Sequence, residues 1–216
     1  MKKITLTFLI GLFALIGLSA KAQTRLYTHP NFDNIAKGHR TIAVLPFETQ
    51  ITLRPKDMAR ISPEELAAME ESEGKSIQHA MYSWFLQRKK RGSMLVDVQT
   101  VAETTAKLNK AGISSSNLNE YSPTELSEIL GVDAIIMGKY DTNKPMSDGA
   151  AIALQLFADI WTPTNQAVMN LFIYNGADGE VLTNYNKKVS RSTGSSPDDL
   201  INVLMRKASR RIAYTK

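Results

Sequence analysis

The chain has 216 residues, of which 43% are hydrophobic and 22% are charged, so it is long enough for one substantial core. It contains no cysteine, which excludes disulfide bonds, thiolate metal sites, thiol nucleophiles and the lipid-acceptor cysteine of a bacterial lipoprotein. The formal net charge is +5, but three of the lysines lie in the first 22 residues, where no acidic residue accompanies them.

The N-terminus has the pattern of a secretory signal peptide. Met1 and two lysines precede an apolar run over residues 4–18, and residues 19–22 (SAKA) supply a small-x-small cleavage pattern. The alternative is a retained membrane anchor, which needs about 20 apolar residues, more than this run offers. We predict cleavage after Ala22, which leaves 23 basic and 21 acidic residues. The resulting charge of +2 gives no basis for a nucleic-acid partner, and no transmembrane segment is expected after cleavage.

The mature chain is predicted to begin with an irregular N-terminal arm over residues 23–40, which lack hydrophobic periodicity. Residues 41–47 (TIAVLPF) predict the first strand, which Pro46 ends because proline cannot donate to a β-ladder. Residues 48–61 predict a loop that serves as a mobile lid or an interaction surface.

The longest predicted helix begins at Ser62, which forms a capping box with Glu65, and runs to about Arg91. Its first half, which contains Glu70, Glu71, Glu73 and Gly74, has no apolar stripe. We expect that half to project into solvent or to break at the glycine. The second half carries a continuous stripe at helical spacing: Ile77, Ala80, Met81, Trp84 and Phe85.

A helix-to-strand junction at residues 130–138 (LGVDAIIMG) is expected at the centre of the sheet. Gly131 lies where a helix ends in the left-handed conformation that glycine adopts without strain. The Asp133 carboxylate is expected to accept backbone N–H bonds in the turn, which we favour over a catalytic role. Residues 134–137 (AIIM) predict a strand buried on both faces, and Gly138 is expected to let the chain leave the sheet.

The second half of the chain alternates apolar and polar residues, which is typical of an antiparallel meander. Strands are predicted at residues 151–160 and 167–173, and Asp178-Gly179 turns a hairpin into residues 181–189. A final helix is predicted from Ser196 onward.

The expected fold class is therefore α/β, with a mixed sheet in two or three layers and a single domain over residues 41–216. The first half has the order β-α-β-α-α-β, with a second strand at residues 94–98 and helices over residues 100–111 and 122–130. The second half is the meander, followed by the C-terminal helix. Strands that alternate with helices argue for parallel pairs within the sheet.

Three short motifs in order resemble those of the CsgG-like family of bacterial envelope proteins and the related amino-terminal domain of TolB. They are residues 41–47 (TIAVLPF), 130–138 (LGVDAIIMG) and 177–182 (ADGEVL), and they carry the landmark residues Pro46, Gly131, Asp133, Gly138, Asp178 and Gly179. The resemblance implies the fold and an envelope role. Members of the family act as secretion-channel subunits, polysaccharide-export accessories or activators of wall-building enzymes, and none of these roles is catalysis.

No residue pattern predicts catalysis, a cofactor or a metal. His29, His39 and His79 form no close ligand pair, and neither G-x-S-x-G, G-x-G-x-x-G nor a P-loop occurs. The three glutamates at residues 70–73 are expected to form a solvated face, because neighbouring acids on a helix diverge. We therefore expect a protein without enzymatic activity.

Two basic clusters near predicted helix C-termini have two interpretations. In the first, the cations compensate the unpaired carbonyls at the helix C-termini. In the second, they dock on anionic headgroups, cell-wall polymer or an acidic partner. The clusters are Arg88, Lys89, Lys90 and Arg91, and Arg206, Lys207, Arg210 and Arg211.

The leading hypothesis is an exported envelope protein that works by protein-protein contact in envelope assembly or secretion, in the periplasm or at the outer-membrane periphery. Its expected partners are envelope proteins, with self-association by analogy with ring-forming relatives and peripheral contact with membrane or cell wall as a further option. The first half of the long helix and residues 48–61 are the expected contact surfaces. The alternative is a periplasmic protein that binds, or hydrolyses, a small ligand or glycan in a deep pocket with convergent polar groups.

Overall fold

The structure is a computed structural model that describes residues 24–143, 164–192 and 197–215. The predicted signal peptide, residues 1–22, and the predicted strand over residues 151–160 lie outside the described residues.

The described elements follow one another as alternating strands and helices, and then as a hairpin and a helix. In chain order they are β1 (Thr24–Thr28), α1 (Phe32–Ala36), β2 (Thr41–Val44), β3 (Glu48–Ile51), α2 (Pro55–Met58), α3 (Pro63–Lys90), β4 (Asp97–Val98), α4 (Val101–Lys110), a 3-10 turn (Leu118–Glu120), α5 (Pro123–Leu130), β5 (Ala134–Thr142), β6 (Thr164–Asn175), β7 (Val181–Ser192) and α6 (Pro197–Arg211).

The seven strands form one mixed sheet in the order β1-β7-β6-β5-β2-β4, with β3 also paired to β5. The strands β2, β3 and β4 contribute only parallel pairs, whereas β5, β6, β7 and β1 are joined by antiparallel pairs. The strand β5 therefore lies inside the sheet, with β6 on one side and β2 and then β3 on the other. The mixed α/β fold predicted from the sequence is confirmed.

The number of layers differs between the two halves of the sheet. One face packs against α3 and α6 through a core that includes Ile77, Phe85, Tyr140, Leu171 and Leu204. Within the described residues, the opposite face is covered by α4, α5 and the 3-10 turn over β2, β5 and part of β6, through a second core. The sequence predicted either two or three layers. In the described residues, the sheet has three layers over its parallel half and two over most of its antiparallel half.

Local sequence signals explain where the main helices begin and end. Ser62 and Ser122 each form a capping box with the glutamate three residues later, and the Thr100 side chain accepts a hydrogen bond from Glu103 N–H. Gly131 ends α5 with φ of 62°, in the left-handed region.

Two segments predicted to be irregular are ordered elements. Residues 23–40 contain β1 and α1, because β1 completes the sheet beside β7 and Phe32 packs into the core. Residues 48–61 contain β3 and α2, because Ile51 and Leu53 bury their side chains against Met69 of α3. Such short elements carry too little periodicity to be recognised from the sequence, and tertiary contacts stabilise them.

The first half of the long helix neither breaks nor projects into solvent, so that prediction was wrong. Helix α3 is continuous from Pro63 to Lys90, and Met69, Glu73, Gly74 and Gln78 are buried. Its buried surface is partly polar because it packs against the segment between β2 and β3, where backbone groups need hydrogen-bond partners. Gln78 Nε2 donates to Val44 O over 2.7 Å, and Phe47 N–H donates to Gly74 O over 3.3 Å.

The expectation for Gly138 was also wrong. Strand β5 continues through this residue to Thr142, and Gly138 pairs with Leu171 of β6. A Cβ atom at Gly138 would lie 2.4 Å from Cε1 of Phe47 and 2.8 Å from Asn170 O. The glycine therefore makes room for the Phe47 ring at the break that Pro46 introduces between β2 and β3.

Candidate functional site

The Asp133 carboxylate joins two motifs that are far apart in the sequence. Its Oδ2 accepts hydrogen bonds from Arg40 N–H over 2.7 Å and from Thr41 N–H over 2.8 Å, at the start of β2. Burial alone would raise the pKa of Asp133, but these two N–H groups and the neighbouring His39 and Arg40 hold it below its ordinary value. Through Oδ2, the carboxylate positions the start of β2 beside β5.

The hairpin motif docks on the same junction. Gly176 N–H donates to Asp133 O over 2.8 Å, and a Cβ atom at Gly176 would lie 2.8 Å from that oxygen. Within the hairpin, Asp178 Oδ1 accepts from Asn175 Nδ2 and from Glu180 N–H, both over 2.9 Å, and Gly179 has φ of 74°. The structure thus brings together the three motifs quoted for the family resemblance, and their polar groups bond to backbone or to one another.

The described histidines are dispersed and do not form a site. His29 pairs with Glu180 over 3.0 Å, His39 Nδ1 lies 2.5 Å from the Tyr214 hydroxyl, and His79 is exposed. Burial, together with the charge of Asp133, raises the pKa of Tyr214, so this hydroxyl stays protonated. No group of three histidine, aspartate or glutamate side chains in the described part of the chain could hold a metal ion.

The two basic clusters lie at neighbouring helix ends. Most members of both clusters are exposed, and Lys89 pairs with Asp97. Arg88 is the exception, with only 8% of its surface exposed. Burial and the positive charges of Arg210 and Arg91 lower the pKa of Arg88, and the two helices that carry the clusters, α3 and α6, pack against each other. On the sheet side of α6, burial and the charges of Lys207 and Arg211 lower the pKa of Lys187.

The antiparallel half of the sheet leaves one face without a covering helix in the described structure. Two rows of side chains cross it, since Asn170 pairs with Asn186 and then Arg25, and Phe172 pairs with Asn184 and then Tyr27. We call these six residues the open face: Arg25, Tyr27, Asn170, Phe172, Asn184 and Asn186.

The open face forms a broad depression of about 540 Å³. Beside it, the Phe172 ring stacks on Tyr174 with centroids 5.7 Å apart, and burial raises the pKa of Tyr174. A smaller cleft of about 130 Å³ lies between Phe47, Asn119 and Lys139, and it is smaller than the few hundred Å³ typical of ligand pockets. Its polar rim is the pair of Lys139 and Glu48, 2.9 Å apart.

The contact surfaces expected from the sequence, the first half of α3 and residues 48–61, do not include the open face, which was not predicted. One side of each segment packs on the other segment or on β5, and Glu70 Oε1 accepts from Ile51 N–H over 2.9 Å, whereas many of their remaining residues are exposed. A signal for the open face was present in the even positions of β6, where asparagine and aromatic residues alternate with the buried ones. The facing residues of β7 and β1 needed the register of the sheet.

No protein-family model matches the chain, and no curated protein matches it. Among solved structures, the chain is similar to the PelC dodecamer from Paraburkholderia phytofirmans, at 10% identity over 90% of this chain and 99% of that chain, with a TM-score of 0.45. It is similar to lipoprotein GNA1162 from Neisseria meningitidis, at 13% identity over 81% of this chain and 98% of that chain, with a TM-score of 0.46.

A third similar structure is the LpoB C-terminal domain from Salmonella enterica, at 10% identity over 76% of this chain and 94% of that chain, with a TM-score of 0.32. All these TM-scores are below 0.5, and we base no statement about assembly or activity on them. None of the names is CsgG or TolB, so the resemblance to that family stays a hypothesis. Among the described helices, none is both long and apolar enough to cross a membrane.

Proposed function

We propose that this protein is exported to the bacterial envelope and acts there without catalysis, by protein-protein contact in envelope assembly or secretion. The signal-peptide pattern supports export. The three motifs that resemble the CsgG-like family support the envelope role. The contact surface in this proposal is the open face together with the outer edge of β1.

The observation that carries the proposal is the composition of this surface. The strand β1 is the last strand in the sheet order, so its outer backbone edge has no ladder partner among the described strands. Tyr27 and Leu26 are 46% and 43% exposed on it. A free edge with exposed apolar side chains is a template for pairing with another chain, and tyrosine and arginine are enriched at protein interfaces.

The test is crosslinking and co-purification of the protein from its native envelope, with Tyr27→Glu as the variant. A new carboxylate at the centre of a contact surface should reduce partner recovery by about tenfold or more, because the charge would be buried without a partner. Leu95→Glu is the matched control, since Leu95 is 52% exposed near the opposite edge of the sheet. Equal recovery with Tyr27→Glu and with the parent protein would contradict the proposed surface.

The same variants test self-association. If the partner is a second copy of this chain, the molar mass from light scattering should rise with concentration for the parent protein and for Leu95→Glu, but not for Tyr27→Glu. A mass that stays monomeric for all three proteins over the whole concentration range would remove self-association from the proposal.

Glycan binding is a second candidate, and one observation favours it. The depression on the open face places the amides of Asn170, Asn184 and Asn186 around the Phe172 ring, and amides beside an aromatic ring suit a polyhydroxylated ligand. Titration calorimetry with soluble cell-wall glycan fragments tests this candidate. Binding heat that is lost in the double variant Asn184→Ala and Asn186→Ala would support it, and absence of heat would reject it.

A further inference from the structure

The outer edge of β1 is flat and has no ladder partner among the described strands. Natural sheets protect their edges with very short strands, charged side chains, prolines or bulges. The opposite edge follows this rule, since β4 spans only Asp97 and Val98, and Asp97 is exposed. The strand β1 does not, because its five residues pair with β7 in continuous register and include no proline and a single charged residue, Arg25. An edge of this kind can bind a further strand.

The hydrogen-bond pattern of β1 determines which backbone groups lie at that edge. His29 N–H, one residue beyond the strand, donates to Leu182 O of β7 over 2.9 Å. In an antiparallel ladder, successive residues alternate between bonding to that neighbour and pointing to the other side. Thr24, Leu26 and Thr28 therefore present their N–H and C=O groups to the outer edge.

We infer that a second copy of this chain binds this edge, with its own β1 antiparallel to the first and with Leu26 of one copy opposite Leu26 of the other. The inference rests on the contact surface of the proposed function and names its partner. An antiparallel pairing of two identical strands is symmetric about a two-fold axis, so it forms a closed dimer. Outward-pointing residues must face outward-pointing residues, and the register centred on Leu26 is the one that satisfies this rule and pairs all five residues of β1.

The side chains of β1 are complementary to themselves in this register. On the open face, Arg25 lies opposite Tyr27 of the second copy, and a guanidinium beside an aromatic ring is attractive. On the reverse face, the two Leu26 side chains meet next to Tyr185, which is part of the core. Leu26 and Tyr27 are 43% and 46% exposed in one copy, and the pairing removes part of this surface from water. Tyr27→Glu would replace the ring contact with an exposed ion pair to Arg25, which stabilises less.

The pairing joins the two sheets into one. The residues of β1 that belong to the open face, Arg25 and Tyr27, point to the same side of the joined sheet in both copies, so the two depressions adjoin at these residues. Five residues from each copy make a small contact, so the dimer should be weak and should depend on concentration.

The absence of cysteine makes a single introduced thiol a direct test of the register. Residues directly opposite each other in an antiparallel pair can form a disulfide, whereas diagonal neighbours are about 7–8 Å apart, which is too far. Under mild air oxidation, Leu26→Cys should therefore form a disulfide-linked dimer whose yield rises with protein concentration. Tyr27→Cys is the matched control on the same strand, and it should form about tenfold less dimer. Mixing Arg25→Cys with Tyr27→Cys should restore the crosslink, because these two positions face each other.

A proline at the centre of β1 tests the backbone pairing. Leu26 N–H points away from β7, so Leu26→Pro removes a donor from the outer edge and none from the ladder within one copy. Light scattering should show a molar mass that rises with concentration toward that of a dimer for the parent protein and for Leu26→Val, and a monomeric mass for Leu26→Pro. The cysteine variants keep the backbone donor, so they test the same pairing if the proline lowers stability.

The outcomes separate this inference from the proposed function. The inference is overturned if Leu26→Cys stays monomeric, or if it crosslinks no more than Tyr27→Cys. If Tyr27→Glu nevertheless reduces partner recovery from the native envelope, the contact surface stands and its partner is a different protein. A Leu26→Cys thiol that maleimide does not modify in the folded monomer would show that another segment of this chain covers the edge, and this result would also overturn the inference.

Discussion

At the scale of single residues, Asp133 shows how much a local pattern can reveal. Its position between a helix end and a buried strand predicted a carboxylate that accepts backbone N–H bonds. The donors, Arg40 and Thr41, are more than 90 residues away in the sequence, so no spacing rule identifies them. The chemistry of the residue was readable from the sequence, and its partners required the parallel pairing of β2 with β5.

Replacing Asp133 with alanine should lower the free energy of unfolding by about 1–3 kcal/mol, because two backbone donors lose their acceptor. The pKa of Asp133 is lower in the folded protein than its ordinary value, so its ionised form stabilises the fold at neutral pH. That contribution is present above the ordinary aspartate pKa and is lost as pH falls through the lower, folded-state pKa.

Denaturant titrations at several pH values measure this effect. The parent protein should lose stability steeply on the acid side, and Asp133→Ala should lose less there. Asp141→Ala, an exposed position of the same strand, is the control and should follow the parent protein. If the stability of Asp133→Ala fell as steeply at acid pH as that of the parent protein, the stabilising role of the ionised Asp133 carboxylate would be contradicted.

At the scale of elements, helix α3 shows why a sequence pattern can point the wrong way. The length of the helix and its capping box were predicted, because both depend on local sequence. The burial of its first half was not, because Glu73, Gly74 and Gln78 are unlike an apolar stripe. These residues lie near the break between β2 and β3. There, Gln78 donates a hydrogen bond to a backbone carbonyl, and Gly74 leaves room for the backbone of Phe47.

Gly74→Ala should destabilise the protein by about 1–3 kcal/mol, as overpacking does. Helix propensity alone predicts the opposite, a gain of up to about 1 kcal/mol. Packing decides, because a Cβ atom at Gly74 would lie 2.1 Å from the carbonyl oxygen of Phe47, and backbone cannot move aside easily. Gly38→Ala is the control, since a Cβ atom there meets nothing within 4 Å. Chemical denaturation of both variants decides between the two effects, and a stabilised Gly74→Ala would refute the close packing.

At the scale of the whole molecule, the sheet has a protected centre and an open end. Strand β5 has partners on both sides and helices over both faces, whereas β1 has a single neighbour among the described strands. The class of fold and the central place of β5 followed from the order of predicted elements. The sequence did not predict that helices cover both faces of one half of the sheet and one face of the other half. That arrangement depends on which side of the sheet each helix crosses.

Hydrogen exchange should report this asymmetry directly. Amides of β5 between Ala134 and Tyr140 should exchange slowest, with protection close to that of global unfolding, and those of β1 should exchange fastest among the described strands. Mass spectrometry of peptides after timed labelling measures the difference. Equal protection of β1 and β5 would mean that another segment or molecule covers the edge of β1.

The pairing of β1 with β7 also has a consequence for the timing of folding. Thr24 of β1 bonds to Lys187 of β7, a separation of 163 residues. Because β1 is synthesised long before its strand neighbour β7, it cannot pair until β7 has emerged, and contacts of such long range form late. The edge strand would thus be the last part of the sheet to close, and for an exported chain it would remain available to chaperones or partners throughout translocation.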